Sequence, residues 1–268
     1  MNFIEKYEKA RNEKNSIISV GLDPSLEKML SPEDRPNDTD VINEIFFNFC
    51  MDLIENTKDY VCAIKPNSQF VLFPLTLNQL RKINTTAHDY GLVSILDHKL
   101  GDIGSTNASA LYWIKRAGFD ALTFSPFAGN IKEATEQAHK NDLGLICLTL
   151  MSNPQSVWIQ KDSLNNGVPL YEKIAQEIRN NGTDGCVIGA TGHVTDDDIK
   201  KIRKIVGDDK VFLCPGVGAQ GGDVKKLLMS AGENIVIHIG RAIMYANDQR
   251  KAAEEFYKLI NKYRKQIA

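Results

Sequence analysis

The stretch Leu92–Lys99, LVSILDHK, carries the pattern that decides the fold: a short apolar run that ends in charged residues. An apolar run of this length predicts a strand buried on both faces, as in a parallel sheet covered by helices. Asp97 and Lys99 are two residues apart, so their side chains point to the same face of a strand. The segment therefore predicts a parallel strand with a charged pair at its C-terminal end.

Seven other segments are short apolar, β-rich runs of the same kind, and longer amphipathic stretches separate the eight runs. The predicted strands are Ser16–Asp23, Tyr60–Lys65, Leu92–Lys99, Ala121–Phe124, Gly144–Thr149, Asp184–Gly189, Lys210–Pro215 and Asn234–Gly240. The predicted helices are Val41–Asn56, Leu75–Tyr90, Asn107–Arg116, Ile131–Lys140, Pro169–Asn180, Thr195–Val206, Asp223–Met229 and Asp248–Lys265. This alternation favours one (β/α)8 TIM barrel over residues 1–268, and a doubly wound open sheet is the alternative. The polar segment Ser31–Asp40 is interpreted as a surface insertion.

Composition excludes several classes of protein. The chain has 268 residues, of which 43% are hydrophobic and 25% charged, so it is neither a disordered tail nor a disulfide-stapled miniprotein. A net charge of −2 argues against nucleic-acid and anionic-membrane binding. The start of the chain has no apolar signal sequence, and no apolar run approaches the ~20 residues of a membrane span. We expect a cytoplasmic protein whose five scattered cysteines are reduced core residues.

Charged residues collect where the predicted strands end, which is where a (β/α)8 barrel builds its active site. They are Asp23 at the end of the first strand, Lys65 at the end of the second, Asp97 and Lys99 in the third, Asp102 in the following turn, and Arg241 directly after the eighth. A lysine held between carboxylates stays protonated, because opposite charges nearby favour its charged form. Such a lysine is a poor base, but it can give a proton to a developing carbanion.

A glycine-rich segment, Pro215–Asp223 (PGVGAQGGD), follows the seventh strand. Its GxGxxG spacing is a weak dinucleotide signal, and the next strand ends in Gly240 and Arg241 without the acidic residue that binds a ribose. In a barrel, the loops after the seventh and eighth strands form a phosphate site from backbone N–H groups. Arg241 supplies a planar cation suited to phosphate, so the segment is interpreted as part of a phosphate cup.

The remaining polar motifs do not indicate a nucleophile or a metal site. Ser152 has no GxSxG context and is interpreted as a hydrogen-bonding side chain. The five histidines form no metal-ligand pair, and His98 is expected to point towards the helices. Thr195 followed by the acidic residues 196–198 predicts a helix start.

The segment Asp97–Thr106, DHKLGDIGST, resembles the DxKxxDIxxT signature of orotidine 5′-phosphate decarboxylases. Related barrels that act on sugar phosphates share DxKxxD, so this motif alone is not specific. Further matches to the type 2 branch of the family follow in chain order: GLDP at 21–24, KPN at 65–67, SPFAG at 125–129, SNP at 152–154, IGAT at 188–191, PGVGAQGGD at 215–223 and GRAI at 240–243. Together they resemble that family along nearly the whole chain.

The resemblance implies conversion of orotidine 5′-phosphate to UMP, the last step of de novo UMP synthesis, without a metal or organic cofactor. It implies that Lys99 protonates C6 within an array with Lys65 and Asp97, and that Asp102 and Thr106 reach across a homodimer interface. The substrate-binding residues that it implies are Asp23, Asn67, Thr106, Ser152, Gln220, Gly240 and Arg241.

Two departures and two alternatives accompany this resemblance. Gln155 follows SNP where the family pattern has glycine, and Asn67 stands where other branches carry histidine. A metal-dependent sugar-phosphate aldolase or decarboxylase on the same scaffold is the first alternative function. A phosphate-binding barrel without catalytic activity is the second.

Overall fold

Eight parallel strands form a closed barrel. The computed structural model describes residues 1–217 and 221–267, with only the backbone described at 221–223. The strands are β1 Ile18–Leu22, β2 Ala63–Pro66, β3 Val93–Leu100, β4 Ala121–Phe124, β5 Gly144–Leu150, β6 Gly185–Ile188, β7 Val211–Pro215 and β8 Ile235–Ile239. Each strand pairs with the next along the chain, and β8 closes the barrel on β1 through the pair Ile18 and Ile237. The predicted (β/α)8 barrel is confirmed, and the open-sheet alternative was wrong.

Helices surround the barrel, and all eight predicted helices are present with ends that differ by a few residues at most. They are α1 Phe3–Lys14, α2 Leu26–Met29, α3 Thr39–Thr57, α4 Ser68–Val71, α5 Leu77–Asp89, α6 Gly104–Arg116, α7 Ile131–Lys140, α8 Val157–Gln160, α9 Leu170–Asn180, α10 Asp196–Val206, α11 Gly221–Ala231, α12 Arg241–Met244 and α13 Gln249–Ile267. In the described part of the chain, none of these helices has the length and apolar character that crossing a membrane requires.

Alternation along the strands divides the apolar residues between two cores. On β3, Ile95 belongs to the core inside the barrel, whereas Leu96 packs in the larger core between the sheet and the helices. The same alternation continues beyond the apolar residues, so Asp97 follows Ile95 towards the inside. The alternation along β3 therefore delivers a charged side chain to the barrel interior at the C-terminal end of the strand.

Helix α1 fills the N-terminal end of the barrel. Phe3, Tyr7 and Ala10 are buried in the same core as the residues of the barrel interior. The Tyr7 hydroxyl donates a hydrogen bond of 2.7 Å to the Ile235 carbonyl oxygen, and a Cβ at Gly144 would collide with the Phe3 ring. The predicted helices do not include this segment, and the sequence did not reveal its packing against the barrel.

Two local predictions agree with the structure. The segment 31–40 is largely exposed, contains a single turn of 3-10 helix at Pro32–Asp34, and leads into the α3 N-cap. Thr195 caps α10 by accepting a 3.2 Å hydrogen bond from the Asp198 N–H, which explains the acidic run as a helix start.

The five cysteines are buried and unpaired. Burial raises the pKa of the thiols of Cys62, Cys186 and Cys214 to about 12. These thiols are therefore protonated near neutral pH and serve as small apolar core groups.

Candidate active site

A single carboxylate at the C-terminal end of the barrel joins two lysines. Lys65 Nζ lies 2.7 Å from Asp97 Oδ2, and Lys99 Nζ lies 2.6 Å from Asp97 Oδ1. The Thr123 hydroxyl donates a further hydrogen bond of 3.0 Å to Asp97 Oδ1. The Lys65 side chain is only 4% exposed, whereas that of Lys99 is 42% exposed. Asp97 thus holds one ammonium group inside the barrel and the other at its open end.

The electrostatics of this array fix its charge state. Burial acts to raise the pKa of Asp97, but the charges and hydrogen bonds of Lys65 and Lys99 outweigh it and hold the pKa well below its usual value. Asp97 is therefore ionised at neutral pH. With both lysines protonated, the array has a net charge of +1, which suits an anionic substrate.

The backbone of β3 is irregular where it carries the array. Lys99 has a φ of 53°, in the left-handed region, and the pairing with β4 shifts register between Leu96 and Leu100. The Lys99 N–H donates a 2.9 Å hydrogen bond to the Thr123 hydroxyl oxygen. A non-glycine residue in this conformation costs about 1 kcal/mol or more, which the surrounding contacts must offset. The charged pair meets as its spacing predicts, but across a distorted strand.

A cavity of about 260 Å3 opens beside the array. Lys65, Asp97, Lys99 and Ser152 line its polar part, and Leu148, Val187 and Leu213 line its apolar part. An apolar pocket with a few convergent polar groups is typical of a small-molecule site. The structure thus brings Ser152, from the segment after β5, to the same space as residues from β2 and β3.

The other predicted site residues lie around the same rim. Asp23 follows β1, where Gly21 pairs with Lys65 of β2. Burial raises the pKa of Asp23, although Lys65 opposes this, and Asp23 Oδ1 is buried with no hydrogen-bond partner among the described residues. Asn67 follows β2, and its Oδ1 accepts a 3.1 Å hydrogen bond from the Gln69 N–H at the start of α4.

The predicted phosphate residues are described only in part. Gly240 follows β8 and precedes α12, and the Arg241 side chain at the start of that helix is exposed. Gln220 lies outside the described residues.

Asp102 and Thr106 stand apart from the array. Both are exposed at the start of α6, and Asp102 Oδ1 accepts a 2.8 Å hydrogen bond from the Ile103 N–H. Asp102 forms no ion pair with either lysine of its own chain. Within one chain, therefore, the predicted fourth charge is not joined to the other three.

His238 is a polar residue of the barrel interior that the sequence reasoning missed. Its Nδ1 lies 3.1 Å from the Ser19 hydroxyl oxygen. The His238 ring packs against two glycines: a Cβ added at Gly21 would lie 3.1 Å from the ring, and one added at Gly240 would lie 3.6 Å from it. Burial, and then the charge of Lys65, hold the pKa of His238 well below its usual value, so the ring is neutral. Strand alternation could have located it, since His238 lies between outward-facing isoleucines of β8.

His98 faces the helices, as expected, in a groove that Leu72 and Trp113 also line. The described ranges contain no group of three or more His, Cys, Asp or Glu side chains placed to hold a metal ion.

Comparison with known proteins assigns the chain to a family. The family model described as "Orotidine 5'-phosphate decarboxylase / HUMPS family" matches residues 17–256, a range that includes all eight barrel strands. The chain belongs to this family. The matched range of this orotidine 5′-phosphate decarboxylase / HUMPS family member includes Lys65, Asp97 and Lys99. It also includes every other residue that lines the cavity.

Individual proteins of similar length agree with this assignment. An orotidine 5′-phosphate decarboxylase of Cupriavidus metallidurans is 34% identical, over 98% of this chain and 99% of the relative. One from Bordetella pertussis is 33% identical, over 95% of each chain. The solved structure of Leishmania donovani OMP decarboxylase has a TM-score of 0.80 and 27% identity, and covers 98% of this chain and 99% of that one.

Proposed function

We propose that this protein is a carboxy-lyase that decarboxylates orotidine 5′-phosphate to UMP, in the last step of de novo UMP synthesis. The observation that carries the proposal is the Lys65–Asp97–Lys99 array beside a cavity, in a chain that belongs to the decarboxylase family. The proposed reaction uses no metal or organic cofactor, since an ammonium group supplies both the cation and the proton. The reduced, buried thiols support a cytoplasmic location.

The proposed reaction breaks the bond between C6 of the pyrimidine and its carboxylate. Carbon dioxide leaves, the bonding electron pair remains on C6, and the Lys99 ammonium donates a proton to that carbon. The resulting amine then takes a proton from solvent, which the 42% exposure of Lys99 allows. A fixed cation beside C6 stabilises the carbanion, and the ionised Asp97 repels the substrate carboxylate before it leaves.

The proposed binding contacts divide the substrate between the ends of several strands. Asp23 and Lys65 hold the ribose hydroxyls, and the unpartnered Oδ1 of Asp23 supports this role because it is an unused acceptor. Ser152, which lines the cavity, contacts the edge of the pyrimidine, and Asn67 is a further substrate contact. The phosphate contacts are Gln220, the Gly240 amide and Arg241. Phosphate binding far from C6 contributes to catalysis when its binding energy is realised in the transition state.

We further propose a homodimer in which Asp102 and Thr106 enter the partner's site. Three large apolar side chains near Asp102 and Thr106 are exposed to solvent. The exposed fraction is 59% for Ile103, 53% for Trp113 and 88% for Phe127. The loop that carries Phe127 is adjacent, because the Asn130 Nδ2 donates a 3.0 Å hydrogen bond to the Asp102 carbonyl oxygen. Exposed apolar surface of this kind is typical of an interface between subunits.

The decisive experiment follows orotidylate absorbance with wild type and Lys99→Ala, each with and without EDTA. We expect wild-type turnover that EDTA leaves unchanged, and no turnover by Lys99→Ala, whose fold is checked by circular dichroism. Near-normal activity of Lys99→Ala would contradict the proposed mechanism. Loss of wild-type activity in EDTA would favour the metal-dependent alternative, and UMP binding without release of CO2 would favour a non-catalytic barrel.

A further inference from the structure

The short segment that carries Ser152 is tied down on both sides of that residue. On one side, the Met151 N–H donates a hydrogen bond of 2.8 Å to Gln160 Oε1. Ser156 Oγ lies 3.0 Å from the Met151 carbonyl oxygen, on the same side, and 2.8 Å from the Asn153 carbonyl oxygen, on the other side. Residues 154–156 form a turn of 3-10 helix, which brings Ser156 back against the Met151–Asn153 backbone. Gln155, in this turn, replaces the glycine of the family pattern. The position of Ser152 thus depends on the buried Ser156.

Ser156 is in turn held by a histidine from the next strand–helix connection. His193 Nε2 lies 3.0 Å from Ser156 Oγ. A hydroxyl has one proton, and two carbonyl oxygens already compete for that of Ser156, so His193 Nε2–H is the donor in this contact. His193 Nδ1 is buried and has no partner among the described residues, so Nε2 is the ring nitrogen that takes part in this network.

His193 itself is anchored by Lys161, which follows α8 and also contacts α10. Lys161 Nζ donates hydrogen bonds of 2.8 Å to the His193 carbonyl oxygen and 2.6 Å to Asp198 Oδ2. Asp198 is fixed by the N-terminal cap of α10, where its carboxylate accepts a 2.8 Å hydrogen bond from the Thr195 N–H. The segments after β5 and β6 therefore form one connected hydrogen-bonded unit.

Two glycines after β6 leave Ser152 almost no room to move. A Cβ at Gly189 would lie 2.6 Å from Ser152 Cβ, and one at Gly192 would collide with the Ser152 carbonyl oxygen. Gly192 also has a φ of 69°, which other residues rarely adopt. Ser152 thus sits against bare backbone on one side and the cavity on the other.

We propose that His193 is a positioning residue for substrate recognition: through Ser156 it fixes the Met151–Asn153 backbone, and so aims the Ser152 hydroxyl at the pyrimidine. This inference rests on the proposed function, because it assumes that Ser152 contacts the base of a bound nucleotide. Hydrogen bonds weaken steeply with misalignment, so a small shift of this backbone is enough to lose the contact. Phosphate and ribose contacts lie on other strands and do not depend on it.

A double-mutant cycle tests the inference, with kcat/KM for orotidine 5′-phosphate as the measurement. His193→Ala and Ser152→Ala are each expected to lower kcat/KM by about tenfold, the effect of losing one buried hydrogen bond. If His193 acts through Ser152, the double variant matches Ser152→Ala to within about twofold. The inference would be overturned if the double variant lost kcat/KM by the product of the two single losses. It would also be overturned if His193→Ala had the kcat/KM of wild type.

A binding comparison excludes general loosening of the barrel. His193→Ala should weaken UMP binding and leave ribose 5-phosphate binding, which involves no pyrimidine, unchanged. Equal weakening of both ligands would overturn the inference. His193→Gln, which retains a side-chain N–H, should recover part of the lost UMP affinity.

Two variants complete the design. His139→Ala removes a half-exposed histidine from its pair with Asp184 at the N-terminal end of β6, and should leave UMP affinity unchanged. If His193→Ala does not fold, Ser156→Ala replaces it in the cycle. The variant that combines Ser156→Ala with Ser152→Ala is then expected to match Ser152→Ala alone. Absence of orotidylate turnover by wild type would refute the proposed function, whereas normal wild-type turnover with an additive cycle would refute only the role of His193.

Discussion

Lys99 follows Asp97 by two residues, and its ammonium nitrogen lies 2.6 Å from Asp97 Oδ1 although the Lys99 backbone has a φ of 53°. A regular strand would also place the two side chains on one face. The pairing with β4 shifts register between Leu96 and Leu100, and the Thr123 hydroxyl contacts both Asp97 and Lys99. Asp97 is therefore the common partner that holds Lys99, Lys65 and Thr123 in one arrangement.

Asp97→Asn tests this shared role. An amide has the same shape but no charge, so both ammonium groups lose their counter-ion. We expect kcat to fall by at least about 100-fold, in the range found when one preorganised electrostatic group is removed. Steady-state kinetics measures the loss, with Asp59→Asn as a control that removes only an exposed ion pair with Arg250. An Asp97→Asn enzyme within tenfold of wild type would contradict the role of the carboxylate.

Mixing two inactive variants tests the shared site of the proposed homodimer. Lys99→Ala and Asp102→Ala remove residues that would lie in the same site but on different chains. Random exchange gives half heterodimers, each with one intact site, so the mixture should reach about a quarter of wild-type activity. Unmixed samples serve as controls. If the mixture gains no activity after subunit exchange, Asp102 acts within its own chain or the chains do not share a site.

Arg203 is expected to matter for stability rather than for the reaction. Its guanidinium is buried, donates to the carbonyl oxygens of Ala231, Gly207, Lys210 and Asn234, and lies 3.5 Å from the centre of the Phe212 ring. Arg203→Met should lower the free energy of unfolding by about 3 kcal/mol, because several acceptors lose a charged donor. Urea unfolding measures this.

Arg179→Met is the matched control for Arg203→Met. Arg179 is 52% exposed and pairs with Asp209, so its loss should cost below about 1 kcal/mol. Equal losses of unfolding free energy for the two variants would contradict the structural role assigned to the buried guanidinium.

His139 and Asp184 should make stability depend on pH. Their 2.9 Å hydrogen bond raises the pKa of His139 above its ordinary value. The stabilisation is therefore complete below the unfolded pKa of about 6.5, and is lost as the pH rises through the higher folded value. It should stay below about 1 kcal/mol because the imidazole is 45% exposed.

Thermal unfolding of wild type and His139→Gln across pH 6 to 9, roughly spanning an ordinary histidine pKa and the range above it, measures this effect. The difference in Tm between the two proteins should be largest at the acidic end and shrink towards the alkaline end. A difference that grew with pH would contradict the assignment.

The barrel and the core of its site could be predicted from the sequence because both depend on short-range patterns. Strands buried on both faces are continuous apolar runs, and the period of two along β3 places Asp97 and Lys99 together. Barrel topology then brings Lys65 to the same rim from the neighbouring strand. The fourth predicted charge, Asp102, could not be assigned within one chain, because its proposed partner site belongs to another.

The features that the sequence did not reveal depend on contacts between distant segments. His193 and Ser156 are 37 residues apart, and neither belongs to a recognisable motif. The small antiparallel pair Leu164–Asn165 and Val168–Pro169 interrupts the connection after β5 without an apolar pattern of its own. His238 was considered only as a metal ligand, although its position on β8 directs it into the barrel.

Because α1 fills the N-terminal end of the barrel, the described residues leave the cavity open towards the C-terminal end. Phe3 and Tyr7 close the opposite end, so under the proposed function the substrate, the released CO2 and the product UMP pass the rim that carries Lys99, Ser152 and Arg241. Under the proposed function, traffic is then sequential: the next substrate enters only after UMP has left. UMP should accordingly be a competitive inhibitor, and whatever governs opening of the rim also governs how fast the enzyme turns over.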